Sequence, residues 1–184
     1  MAKAHKKSKS EVPTGWTYHA TKDEDYEVAI DETEKHSGTQ CAILRSIVSA
    51  PTPFGNLMQY MSADEYKGKR LQMSAWVKTD IEEGTGQLWL RIDGDWKSSM
   101  KAGCFDNMDD RPIKGATKWK KYSLVVQVPE AATGIAFGLF LHGKGRVWLD
   151  DVSFDVVSQS VPLTGPYSKK KNGPTNLNFE NEDD

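Results

Sequence analysis

Nine side chains define the chemistry open to this chain: Arg45, Gln59, Gln72, Trp76, Trp89, Arg91, Asp93, Phe140 and His142. Aromatic planes beside a few hydrogen-bonding groups suit a sugar or small polar metabolite. The C–H faces of a sugar stack on the rings, and Arg, Asp and Gln bond its hydroxyls. In this reading Trp76, Trp89 and Phe140 stack, while Arg45, Gln72, Arg91, Asp93 and His142 orient the ligand and Gln59 joins the same surface. Ala136 and Gly138 share the face with Phe140, and small residues beside aromatics leave a groove instead of filling one.

A second use of the same groove is catalysis. Glu27, Asp93, Asp106 and His142, with His19 in an early loop, are the acids and bases available for proton transfer if they converge. The chain holds no Gly-x-Ser-x-Gly elbow, no His-Glu-x-x-His pair and no phosphate loop. The expectation is therefore a non-catalytic binding module, with an enzyme of lyase, cyclase or hydrolase type as the alternative.

The elements that must position these residues alternate with a period of two. Arg70–Lys78 and Gln87–Asp93 read as two strands joined by a turn, with Leu71, Met73, Ala75 and Val77 on one face and Leu88, Leu90 and Ile92 likewise. Gln72, Trp76, Trp89, Arg91 and Asp93 fall on the other side, together with Phe140 and His142 by the alternation of Ile135, Phe137, Leu139 and Leu141. A slip of one residue would exchange the faces. The alternative to an open groove is a loop or the N-terminal segment lying over these tryptophans as a second small core.

Further strands are expected at Tyr26–Ile30, Gln40–Val48, Leu57–Met61, Trp119–Val128 and Val147–Val157, with a helical turn at 63–67 ended by Gly68. Asp150-Asp151 breaks the alternation and predicts a bulge. Asp93–Lys118 is the longest irregular stretch, and Trp96 within it could gate a groove. Trp16 and Trp119 read as structural, and Trp148 either joins the polar face or plugs the end of the sandwich. Nine or ten short strands with frequent turns and no long amphipathic helix predict an all-β antiparallel sandwich.

Composition narrows the partners. The chain has 184 residues, a net charge of -2 and 27% charged residues, enough length for one domain and no global pull toward nucleic acid. The lysines of residues 1–11 and Lys169–Lys171 read as solvated flanks. No apolar run approaches the roughly 20 residues of a membrane span, and no secretory leader is legible. Cys41 and Cys104 read as two reduced thiols. The default expectation is a soluble cytoplasmic protein without a cofactor.

The segments Pro13-Thr14-Gly15-Trp16, Lys35-His36-Ser37-Gly38, Cys41–Ser46, Tyr66–Thr79 and Val147–Phe154, in that order, resemble a galactose-binding-like jelly roll of the carbohydrate-binding-module kind. Phe105–Met108 and Arg111–Ile113 resemble more specifically the bacterial intracellular domains that accompany AraC-type regulators. The resemblance spans about residues 12–157, and implies fold more strongly than function. It frames residues 1–11 as a basic tail, 12–158 as the jelly roll, 159–175 as a linker and 176–184 as a closing segment. Such domains usually begin with a stretch like Asn176–Glu180, which here follows the linker. Leu177 and Phe179 are therefore expected to complete the sandwich, in cis or swapped into a second copy, giving a monomer or a strand-swapped homodimer that could also serve as a sensor module. The resemblance also implies a structural calcium, for which Asp150, Asp151, Asn178 and Glu180 supply the oxygens.

Overall fold

The computed structural model describes residues 11–94 and 103–165. Eight strands carry these residues: β1 (Thr17–Ala20), β2 (Tyr26–Asp31), β3 (Cys41–Ser46), β4 (Phe54–Ser62), β5 (Arg70–Gly94), β6 (Phe105–Asp106), β7 (Ala116–Gln127) and β8 (Ala132–Val157). Short 3-10 turns occupy Asp23–Asp25 and Asp64–Tyr66. All pairings are antiparallel. Trp96, Leu177, Asn178, Phe179, Glu180 and the lysine-rich flanks lie outside the described residues.

The expected turn between Lys78 and Gln87 is absent. β5 is one strand of 25 residues, and β8 is one of 26 that pairs with it from Arg70↔Val157 to Gly94↔Ala132. Each half of this long pair has different neighbours. In the front sheet the order is β1-β4-β8-β5-β6, using the first half of β8 and the second half of β5. In the back sheet it is β2-β3-β8-β5-β7, using the opposite halves. Two separately predicted runs merge in each of β5 and β8, so the nine or ten expected strands become eight among the described residues. The architecture is the expected all-β antiparallel jelly-roll sandwich.

Glycines allow the corner where the pair passes between sheets. A Cβ on Gly84 (φ 99°) would fall 1.9 Å from the His142 carbonyl oxygen, and one on Gly143 (φ 82°) 2.5 Å from that of Glu83. Only glycine accepts both the positive φ and the close approach. Tyr26 fastens the corner: its hydroxyl donates to the Thr52 carbonyl (2.7 Å) and accepts from the Gly143 amide (3.2 Å).

One core fills the space between the sheets. Leu71, Met73 and Val77 of the back half of β5, and Leu88, Leu90 and Ile92 of its front half, meet Val28, Leu44, Leu57, Leu124 and Leu139 there. The predicted inward sets are thus correct throughout. Register shifts opposite Asp150 and Ser153, and Asp151 takes φ 49°, so the expected bulge is present. Cys41 and Cys104 are buried thiols outside any disulfide. Among the described residues no helix is long and apolar enough to cross a membrane.

Candidate ligand-binding face

The structure divides the predicted groove between two faces. Trp89, Arg91, Asp93, Phe140 and His142 lie on the outer side of the front sheet. Gln72, Trp76 and Arg45 lie on the outer side of the back sheet. All are outward, as alternation requires, but the sandwich sets the two outward faces back to back. Gln59 belongs to neither. It pairs with inward Phe137, and its Nε2 donates to the Gly15 carbonyl (2.9 Å), holding the Pro13–Trp16 turn.

On the front face, main-chain pairing places Phe54 beside His142 and Asn56 beside Phe140. The Phe140 ring stacks on Trp89 (5.4 Å, 17°) and meets Phe54 edge-on (5.4 Å) and His142 at 5.6 Å. Trp89, only 4% exposed, lies over Gly138, where a Cβ would sit 2.9 Å from its Nε1. That Nε1 donates to Asn56 Oδ1 (3.0 Å). A continuous aromatic shelf results, with Phe54, Phe140 and His142 half-buried and so still presenting surface.

Polar groups border the shelf. Gln87 Nε2 donates to the Asn107 carbonyl and to Asp109 Oδ1, both at 2.9 Å. Burial holds His142 below its ordinary value, with Asp109 and the Pro53 backbone pulling the other way. Toward the opposite end Arg91 grips Asp93 through two bonds (2.7 and 3.0 Å), and Tyr60 stands 55% exposed over Gly134. Phe54, Asn56 and Asp109 escaped the sequence reading, and Gln87, outward by alternation with Trp89, was not assigned to the site. Asn56, a polar residue inside a strand of buried neighbours, was the one legible signal among the first three.

The candidate acids and bases do not converge. Asp93 pairs with Gly134, eight residues along β8 from His142, about 26 Å at strand rise. Glu27 is on the back face, bound to Arg45. Asp106 faces inward and is 0% exposed, taking bonds from the Met108 amide (2.9 Å), Arg111 (2.5 Å) and the Thr164 hydroxyl. His19 is exposed at the front edge, opposite Asn56.

The back face is bound to itself. Trp148 is 5% exposed and donates to Asp31 Oδ2 (2.9 Å), with the Lys78 and Arg146 cations at 5.1 and 5.4 Å from its ring. Those cations are paired with Glu34 and Asp80. These six residues make up half the lining of a cleft of about 430 Å³. His36 stacks on Trp76 (3.7 Å, 13°), and its Nδ1 lies 2.7 Å from Asp151 Oδ2. Trp16 packs edge-on against Phe137 of the main core, and Trp119 joins the Trp148 cluster.

Asp150 and Asp151 act here as a clamp. Their four carboxylate oxygens engage His36, Ser37 and the Asp151 amide, closing the loop between β2 and β3. Hydrogen bonds from His36 first, then Ser37, hold Asp151 below its usual value. Among the described residues no group of three or more His, Cys, Asp or Glu is arranged to hold a metal. Two carboxylates already serving a loop do not by themselves meet the six to eight oxygens calcium takes.

The fold is the jelly roll of carbohydrate-binding modules, and several solved structures share it. The chain is similar to a xylan-binding domain from CBM22 (TM-score 0.52, 14% identity, 79% of this chain and 89% of that one). It is similar to TmCBM61, solved with β-1,4-galactotriose (0.53, 10%, 79% and 91%). It also resembles the Stig cyclase Fisc from Fischerella sp. TAU (0.53, 11%, 79% and 86%). In sequence it is 37% identical over 171 residues to the Uncharacterized HTH-type transcriptional regulator YbfP of Bacillus subtilis, a match covering 91% of this chain. The chain spans 57% of that regulator's length. No protein-family model matches.

Proposed function

We propose that the chain is a non-catalytic binding module that seats a carbohydrate or small polar metabolite on the outer face of the front sheet. The observation that carries this reading is the shelf of Phe54, Trp89, Phe140 and His142, bordered by Gln87 and Asp109. Ring faces supply stacking area, and the adjacent amide and carboxylate supply direction. Arg91, Asp93 and Tyr60 extend the same surface. The fold shared with xylan- and galactotriose-binding modules supports the ligand class, and the separation of Asp93, His142, Glu27 and Asp106 favours binding over turnover.

The test is titration of the chain with xylohexaose, β-1,4-galactotriose and a set of small polar metabolites, read by tryptophan fluorescence and calorimetry. Saturable binding weakened tenfold or more in Phe140→Ala supports the reading. Turnover of a bound compound, abolished by His142→Gln or Asp93→Asn, would replace it with the enzyme reading. A flat response across the set would overturn the front-face seat.

A second reading adds a role for the binding. The identity with an HTH-type regulator favours a sensor module that reports ligand occupancy to a DNA-binding part of a longer protein. A strand-swapped dimer through Asn176–Glu180 would give the same module a second output. The mass of the chain with and without residues 172–184, measured across concentration, tests that assembly.

A further inference from the structure

The strand set ends at Val157, yet the next eight residues are not a free linker. Arg70 Nη1 donates to the Gln159 carbonyl (2.6 Å) and the Val161 carbonyl (2.5 Å). The Thr164 amide donates to the Val125 carbonyl (2.9 Å), and the Val125 amide to Thr164 Oγ1 (2.7 Å). This segment lies along the β7 edge, and outward-facing Val125 is buried there. From the same position the Thr164 hydroxyl reaches inward to Asp106 Oδ2.

Asp106 belongs to the stretch that grips the ligand face. One residue on, the Asn107 carbonyl holds Gln87, and Asp109 Oδ1 holds it again. Ile113 exchanges both main-chain bonds with Gly86. The Asp106 side chain fixes this stretch from below through the Met108 amide and Arg111, and from the far side through Thr164. A buried carboxylate is stable only with its donors in place, and losing one makes it seek others. The loop that sets Gln87 and Asp109 therefore has one of its fixings in the segment after the last strand.

We propose that Thr164 is a positioning residue for the front face, acting through Asp106, so that docking of Val161–Gly165 and the geometry of Gln87 and Asp109 are coupled. The inference rests on the front-face reading for its biological use, but the coupling itself is a property of the fold. It gives the chain a route by which occupancy of the shelf loosens or tightens the segment that leads toward its C-terminus. By linkage the effect runs both ways: whatever the ligand does to docking, docking does to affinity.

The experiment uses the full chain and three variants. Thr164→Val keeps the shape and the bond from the Thr164 amide to the Val125 carbonyl but removes the hydroxyl, and with it the bonds to Asp106 and from the Val125 amide; Thr164→Ser restores both. Gln87→Leu cuts both bonds from the face to the loop. Thr164→Val is expected to move the Gln87 side-chain amide resonances and to speed exchange of the Met108 amide tenfold or more, with Thr164→Ser returning both. Gln87→Leu is expected to speed exchange of the Thr164 amide. A Thr164→Val chain that melts lower but leaves the Gln87 and Met108 signals in place would overturn the coupling and make the segment a mere edge cover. If xylohexaose or β-1,4-galactotriose binds, the ligand-induced change in Thr164 exchange and the change in affinity in Thr164→Val should agree in factor; disagreement also overturns it. If neither glycan binds, that counts against the front-face seat, while the ligand-free comparison still decides the coupling.

Discussion

On the front sheet Trp89 has Phe140 stacked on it, Phe54 and His142 continuing the shelf, an amide at its N–H, and a single cation, Arg91, 6.0 Å from its ring. On the back sheet Trp148 is flanked by charges, with Lys78 and Arg146 over its ring and each cation tied to a carboxylate. The two tryptophans are equally buried and equally satisfied at their indole N–H. What differs is the surroundings. A ligand entering the back cleft must break ion pairs that the face has already made, whereas one on the front shelf meets ring faces of half-buried side chains. Cleft volume alone would have pointed to the back face; the half-buried ring faces of Phe54, Phe140 and His142 point to the front.

The strongest test of this contrast removes each tryptophan in turn. Trp89→Ala and Trp148→Ala should each cost about 3–5 kcal/mol of stability in denaturant unfolding, the range for a buried aromatic, but only the first should abolish binding. Loss of binding in a folded Trp148→Ala variant, with Phe140→Ala unaffected, would move the seat to the back sheet. Phe140→Ala is expected to weaken affinity tenfold or more, about 1.4 kcal/mol, at a smaller stability cost than Trp89→Ala because Phe140 is only half-buried.

Acidity separates the faces next. His142 has a folded value below its ordinary 6.5, so the folded chain binds that proton less readily than the unfolded one. The associated stability is complete above about 6.5 and is lost as pH falls from there through the lowered value. A stability profile from pH 7.5 to 4.5 should show this slope, flattened in His142→Gln, with Asp109→Asn steepening it by removing the charge that favours protonation. The smallest effect is expected from Arg146→Ala. Arg146 and Asp80 are both about half exposed, and such a pair contributes below about 1 kcal/mol, less in salt; ligand affinity should not change.

Alternation makes the core legible in the sequence. Leu71, Met73, Val77, Leu88, Leu90 and Ile92 all point inward as read, and Trp89, Phe140, Arg91, Asp93 and His142 share a face as read. Trp76, Gln72 and Arg45 were assigned to the same surface because period two distinguishes inward from outward and carries no record of which outer side a residue reaches. That record lies in the corner glycines 84 and 143, the first of which reads in sequence as part of an ordinary turn. Asp106 was misplaced for a related reason: with two paired residues in β6, there was no periodicity to show that its carboxylate faces in. Phe54 and Asp109 come to the shelf through pairings and loop contacts distant in sequence, which no local pattern encodes.

The shared long strands have a consequence for how the chain is assembled. β5 and β8 supply two strands to each sheet, and every residue pair between them is remote in sequence, closing around the segment that carries β6 and β7. The search for that register is costly in loop entropy and should make folding slow for the chain's size. Once it is found, neither sheet can open without tearing the other, so front and back should share one global opening energy. Amides of Leu90 and Val77, on opposite halves of β5, are expected to exchange at the same rate under conditions where exchange reports whole-domain unfolding.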